Sequence, residues 1–199
     1  MNRVIFGGSF NPPHSAHLEM LLAAAGQDFV DNVLVLPANI PPHKEQGDDF
    51  ADTAARLEMC KILAGYSKKA ELCTEETDRG GKSYMIETIE SLERKYPSDR
   101  LWLLVGADMA VTLENWVRGE EIIKKAGVLA VGRNTVEPQR FFEAIDRIKA
   151  LGGEVIWLET ETMPISSTMV REMLKKGEKD PPVPKEILEY ITSNQLYKG

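Results

Sequence analysis

Apolar residues along the chain fall into two alternating patterns. Short continuous runs occur at 4–6, 32–36, 101–105, 127–131 and 154–158, the signature of strands buried on both faces, and 70–74 (A-E-L-C-T) is read as a further strand. Between them, apolar residues recur three or four apart, which predicts helices. One starts at Ser15 with Leu18, Leu21, Leu22 and Ala25, and a second covers 52–66. A third runs through Ile86, Ile89 and Leu92 with Ser83 as its N-cap. A fourth covers 138–150 with Phe141, Phe142, Ile145 and Ile148 inward, and a closing helix carries Ile187, Leu188 and Ile191. Strands alternating with helices predict an α/β fold with a doubly wound, Rossmann-like parallel sheet.

Composition narrows this to one domain. A chain of 199 residues with 43% hydrophobic and 28% charged residues supports a single globular core, so 1–199 is expected to be one unit closed by a helical tail at 178–199. The net charge of −7 argues against non-specific nucleic-acid or anionic-membrane partners. No apolar run approaches the roughly 18 residues of a membrane span, and the first residues enter a strand without a signal-like segment. A cytoplasmic location is expected; oligomeric state leaves no trace in the sequence. Cys60 and Cys73 lie in apolar stretches without C-x-x-C spacing, as reduced core thiols do.

Candidate chemistry concentrates where predicted strands end. The opening R-V-I-F-G-G-S-F-N-P-P-H-S-A-H-L reads as strand, Gly7–Gly8 turn, then helix, a geometry that turns backbone N–H groups and a helix dipole toward an anion. His14 and His17 sit three apart across the helix start, so both imidazoles can face one side and stabilise charge on a phosphoryl group. No further ligand stands at a metal-site spacing. The loop after the second strand contains P-P-H-K with Lys44. Arg56 reads equally as an ion-pair partner or a phosphate ligand.

Gly106 and Asp108 follow the strongest strand, where a carboxylate can hold a ribose hydroxyl or cap a helix. Trp116 beside a turn can stack on a heteroaromatic ring, and Arg133 beyond the fifth strand suits phosphate. Ile165, Ser166, Ser167 and Thr168 open a helix with Arg171 one turn along. One serine cap does not account for the whole set.

G-S-F-N-P-P-H-S-A-H resembles the G-x-F-x-P-x-H-x-G-H signature of the nucleotidyltransferase superfamily, and I-S-S-T-M-V-R resembles its I-S-S-T-x-I-R motif. P-P-H-K, S-Y-M-I-E-T and the tail V-P-x-x-I-x-x-Y-I-x-x-x-x-L-Y are similar to the bacterial nicotinate-nucleotide adenylyltransferase branch. The resemblance implies transfer of AMP from ATP to nicotinate mononucleotide in NAD synthesis, with Mg²⁺ carried by ATP.

It further implies His14, His17, Lys44 and Arg171 as catalytic groups. Gly7, Gly8, Ser9, Phe10, His17, Gly106, Asp108, Ile165, Ser166, Ser167 and Arg171 would meet ATP, and Ser83, Tyr84, Met85, Trp116 and Arg133 the acceptor. Ala16, Met85, Glu87 and Val117 depart from the family pattern. The shared core leaves nicotinamide mononucleotide and phosphopantetheine as alternative acceptors, and a non-catalytic nucleotide-binding regulator as a reading from another class.

Overall fold

The computed structural model describes residues 1–41, 49–132, 137–158, 160 and 164–198. All six expected strands form one parallel sheet: β1 (Asn2–Gly8), β2 (Asn32–Pro37), β3 (Ala70–Leu72), β4 (Arg100–Gly106), β5 (Gly127–Val131) and β6 (Val155–Leu158). Their order is β3-β2-β1-β4-β5-β6. The chain therefore turns back at β1, leaving a crevice between the carboxyl ends of β1 and β4.

Side-chain alternation splits the core in two. Val4 and Phe6 of β1 pack with α1 (Ser15–Ala25), α2 (Thr53–Ala64) and residues of the tail. Ile5, between them, packs on the opposite face. That second layer holds residues of α4 (Met85–Lys95), α5 (Ala107–Ala110), α6 (Gly119–Lys125) and α7 (Pro138–Ala150). The helices α8 (Ser167–Lys175) and α9 (Lys185–Ser193) close the first layer, with Val170, Ile187 and Ile191 buried in it. Cys60 and Cys73 are buried free thiols, and burial raises the pKa of both.

The structure corrects several local readings. The segment after β3 contains a short helix, α3 (Glu75–Arg79), which apolar periodicity does not reveal. Tyr84, not Ser83, caps α4; the Ser83 hydroxyl instead accepts the Asn39 N–H at 2.8 Å, an atom supplied from beyond β2. Gly106 rather than Asp108 is the N-cap of α5. Phe142 is 57% exposed: in α7 the inward stripe is Phe141, Ala144, Ile145 and Ile148, and the adjacent Phe142 lies about 100° away around the helix. At the start of α2 the Asp52 carboxylate caps the helix, accepting from the Ala55 N–H at 2.7 Å.

Candidate active site

β1 ends in Gly7 and Gly8, and the chain crosses the sheet edge through 9–14 into α1. The carbonyls of this loop are held from outside. Arg56 of α2 donates to Ser9 O at 3.2 Å, Ser167 Oγ to Pro12 O at 2.9 Å, and Arg171 Nη1 to Asn11 O at 2.9 Å. Arg56 also donates to Ala38 O at 2.5 Å and Asn39 O at 3.3 Å. It is 1% exposed, and among the described residues it makes no ion pair and does not line the cavity: it is a buried clamp joining the loops after β1 and β2.

The two histidines occupy the start of α1. The His14 N–H donates to His17 Nδ1 at 3.1 Å, and the rings stack 3.7 Å apart at 29°. Since Nδ1 accepts, the neutral His17 ring carries its proton on Nε2. Phe10, at φ 45°, turns its ring into the core, edge-on to His17 at 5.0 Å. Its side chain is therefore a buttress behind the imidazole and lines no part of the crevice.

A cavity of about 730 Å³ opens over this loop. One wall carries Gly8, Ser9, His14, His17, Ile165, Ser166, Ser167, Thr168 and Arg171; the other carries Ser83, Tyr84, Met85, Met109, Trp116 and Val117, with Gly7, Gly106 and Asp108 at the sheet edge. Ser166 caps α8, accepting from the Met169 N–H at 3.2 Å. The start of α8 is thus presented to the cavity, and helix starts attract anions. Gly7 brings the walls close: a Cβ there would lie 2.8 Å from the Met85 methyl.

Arg171 does more than face the cavity. Its Nε donates to Asp49 Oδ2 at 2.9 Å, and Lys175 Nζ reaches the same oxygen at 3.3 Å. These cations, Arg171 first, hold the Asp49 carboxyl below the usual range. On the other wall Glu76, missed in the sequence because its helix is polar, is 3% exposed and lines the cavity. It accepts from Thr88 Oγ1 at 2.7 Å. Burial pushes its carboxyl above 4.5, opposed by hydrogen bonds from Thr88 and Ser83 and by the charge of Arg79.

The expected site residues thus assemble in one crevice, with Phe10 set behind it. Lys44, with His43, and Arg133 fall outside the described residues. Among the described residues no three His, Cys, Asp or Glu side chains converge as a metal cage, and no helix is long and apolar enough to cross a membrane.

A 3-2-1-4-5-6 parallel sheet, a glycine turn into a two-histidine helix and a second helix start across the same crevice define the cytidylyltransferase-like class. The cytidylyltransferase-like family model matches residues 5–173. The chain is 34% identical to a probable nicotinate-nucleotide adenylyltransferase of Carboxydothermus hydrogenoformans, over 98% of this chain and 96% of that protein. It is 31% identical to the nicotinate-nucleotide adenylyltransferase of Bacillus subtilis, over 98% and 97%. In fold it matches the Plasmodium falciparum nicotinic acid mononucleotide adenylyltransferase solved with NaAD, at a TM-score of 0.80 and 19% identity, covering 98% and 97% of the two chains. The chain belongs to the nicotinate-nucleotide adenylyltransferase family.

Proposed function

We propose that the chain adenylylates nicotinate mononucleotide with ATP, a step of NAD synthesis in the cytoplasm, and that residues 1–199 act as one unit. The observation that supports the mechanism is one cavity lined both by the donors His14, His17, Ser166, Ser167 and Arg171 and by Tyr84, Met85, Met109, Trp116 and Val117. The acceptor phosphate oxygen attacks the α-phosphorus of ATP in line. The α-phosphorus–oxygen bond to the β-phosphate breaks, and pyrophosphate leaves. That phosphate is already ionised, so no general base is needed.

Catalysis is positioning and charge neutralisation. His17 donates from Nε2 to the reacting phosphates, with His14 stacked beside it. Gly8, Ser9 and the α8 start at Ser166 and Ser167 face the triphosphate. Arg171 joins them when phosphate oxygens replace Asp49, and the resemblance of P-P-H-K to the family motif assigns Lys44 to the same triphosphate. Gly106 and Asp108 hold the ATP ribose, and Ile165 borders adenine. Mg²⁺ would be bound as part of the Mg-ATP substrate and would neutralise part of its charge; among the described residues no three His, Cys, Asp or Glu side chains form a cage of the protein's own for it.

The acceptor ring lies on Trp116, with Ser83, Tyr84 and Met85 at the α4 start; Arg133 is assigned to the acceptor phosphate from its residue type alone. Backbone N–H groups at a helix start suit the nicotinate carboxylate. The test is pyrophosphate release with Mg-ATP and nicotinate mononucleotide, nicotinamide mononucleotide or phosphopantetheine at equal concentrations. Strong preference for the first is expected. ATP binding without release for any of the three would sink the proposal.

Trp116→Ala is expected to raise the acceptor KM by about 10-fold, the scale of losing one base–aromatic stack, with the ATP KM unchanged. An unchanged acceptor KM together with a lower Tm would make Trp116 a packing residue only.

A further inference from the structure

The tail motif ending in Leu196–Tyr197 has no part in the chemistry above, yet it reaches the phosphate loop at two points. Pro182 O accepts the Ser15 N–H at 2.9 Å, at the first turn of the histidine helix. The Tyr197 hydroxyl donates to Asn11 Oδ1 at 2.7 Å in a buried contact. Tyr197 is 8% exposed and adopts a φ of 59°, a region uncommon for a bulky residue.

Two donors converge on that oxygen, because the Ala51 N–H also reaches Asn11 Oδ1, at 2.9 Å. An amide whose oxygen takes two donors has its orientation fixed. The Asn11 NH₂ must then point to Asp49 O, which it does at 3.3 Å. The contacts close a ring: Asn11 Nδ2 to Asp49 O, Asp49 Oδ2 to Arg171 Nε, and Arg171 Nη1 back to Asn11 O. All three residues line the cavity, whereas Tyr197 stands behind it.

We propose that Tyr197 is a positioning residue for adenylyl transfer: its hydroxyl locks the Asn11 side chain, and through it Asp49 and the approach of Arg171 to the triphosphate. The proposal rests on the reading of this crevice as the triphosphate site. Burial keeps the phenol protonated by pushing its pKa up, so it remains a donor across the working pH range. A phenylalanine keeps the ring and its packing and removes only this donor. The Asn11 oxygen then keeps the Ala51 N–H but loses its second donor, so the amide is held less firmly and the ring through Asp49 and Arg171 loosens.

The experiment compares full-length wild type, Tyr197→Phe and Ile187→Val, the last a tail packing change at a buried α9 residue outside the ring. Steady-state constants for each substrate, the Kd for Mg-ATP and the Tm are measured well below melting. Tyr197→Phe is expected to weaken Mg-ATP binding or lower kcat/KM for ATP about five- to tenfold, the scale of one buried hydrogen bond, with the acceptor KM within about twofold. Ile187→Val should lower Tm and leave the constants unchanged. The proposal is overturned if Tyr197→Phe shifts only Tm, or if both variants change the constants in proportion to Tm. If wild type turns over none of the three acceptors, the adenylyl-transfer reading falls, and the Mg-ATP Kd of the two variants still decides the role of Tyr197.

Discussion

His17→Ala is expected to lower kcat by about 10²- to 10³-fold, the usual loss for one preorganised charge-stabilising donor, with little change in Tm. The magnitude follows from how firmly the ring is held before substrate arrives. The His14 N–H fixes Nδ1 as an acceptor at 3.1 Å, Phe10 meets the ring edge-on and Phe6 lies 6.0 Å from it at a tilt. The Nε2 donor is thereby oriented without reorganisation during the reaction. Pyrophosphate release at saturating Mg-ATP and acceptor measures the effect. A variant that folds and turns over near the wild-type rate would remove His17 from the chemistry.

The second large effect concerns stability. Arg56→Leu is expected to destabilise the fold by about 2 to 3 kcal/mol, because a buried carbonyl left without a donor costs roughly 1 to 3 kcal/mol and a half-buried one less. Ser9 O, Ala38 O and Asn39 O would all lose the guanidinium. Leucine fills much of the volume, so the loss reports polar groups rather than an empty cavity. Chemical denaturation of the two proteins measures it. A difference under about 1 kcal/mol would mean that other donors serve these carbonyls, and the clamp would lose its importance.

The inner strands were legible because a strand buried on both faces needs an unbroken apolar run, whereas β3, an edge strand with Glu71 exposed, was marked only by its place between two helices. The site was legible for a related reason: a doubly wound sheet puts its ligand groups at strand ends, so Gly7, His14, Asp108 and Ser166 could be placed before any contact was known. What escaped was set by contacts distant in sequence. Arg56 could not be assigned because its partners are carbonyls up to 47 positions away. Ser83 looked like a cap because its bond to Asn39, 44 residues earlier, has no local signature. The helix α3 is five residues, E-E-T-D-R, with no apolar stripe to mark it, and with it Glu76 went unseen. Phe142 was misjudged by counting two neighbouring phenylalanines as one inward face. Asn11 lay inside the stretch that drew attention first, but only the fold shows that its amide is a junction between the loop, Asp49 and the tail.

The narrow gap between Gly7 and the Met85 methyl couples two positions 78 residues apart. A methyl added at 7 would press on the Met85 methyl, the far end of a flexible side chain that can turn aside. Position 7 can therefore gain bulk at the cost of a rotamer shift in Met85, and a shorter side chain at 85 would remove even that cost. The effects of changing the two positions are accordingly expected to be non-additive, although neither residue bonds to the other.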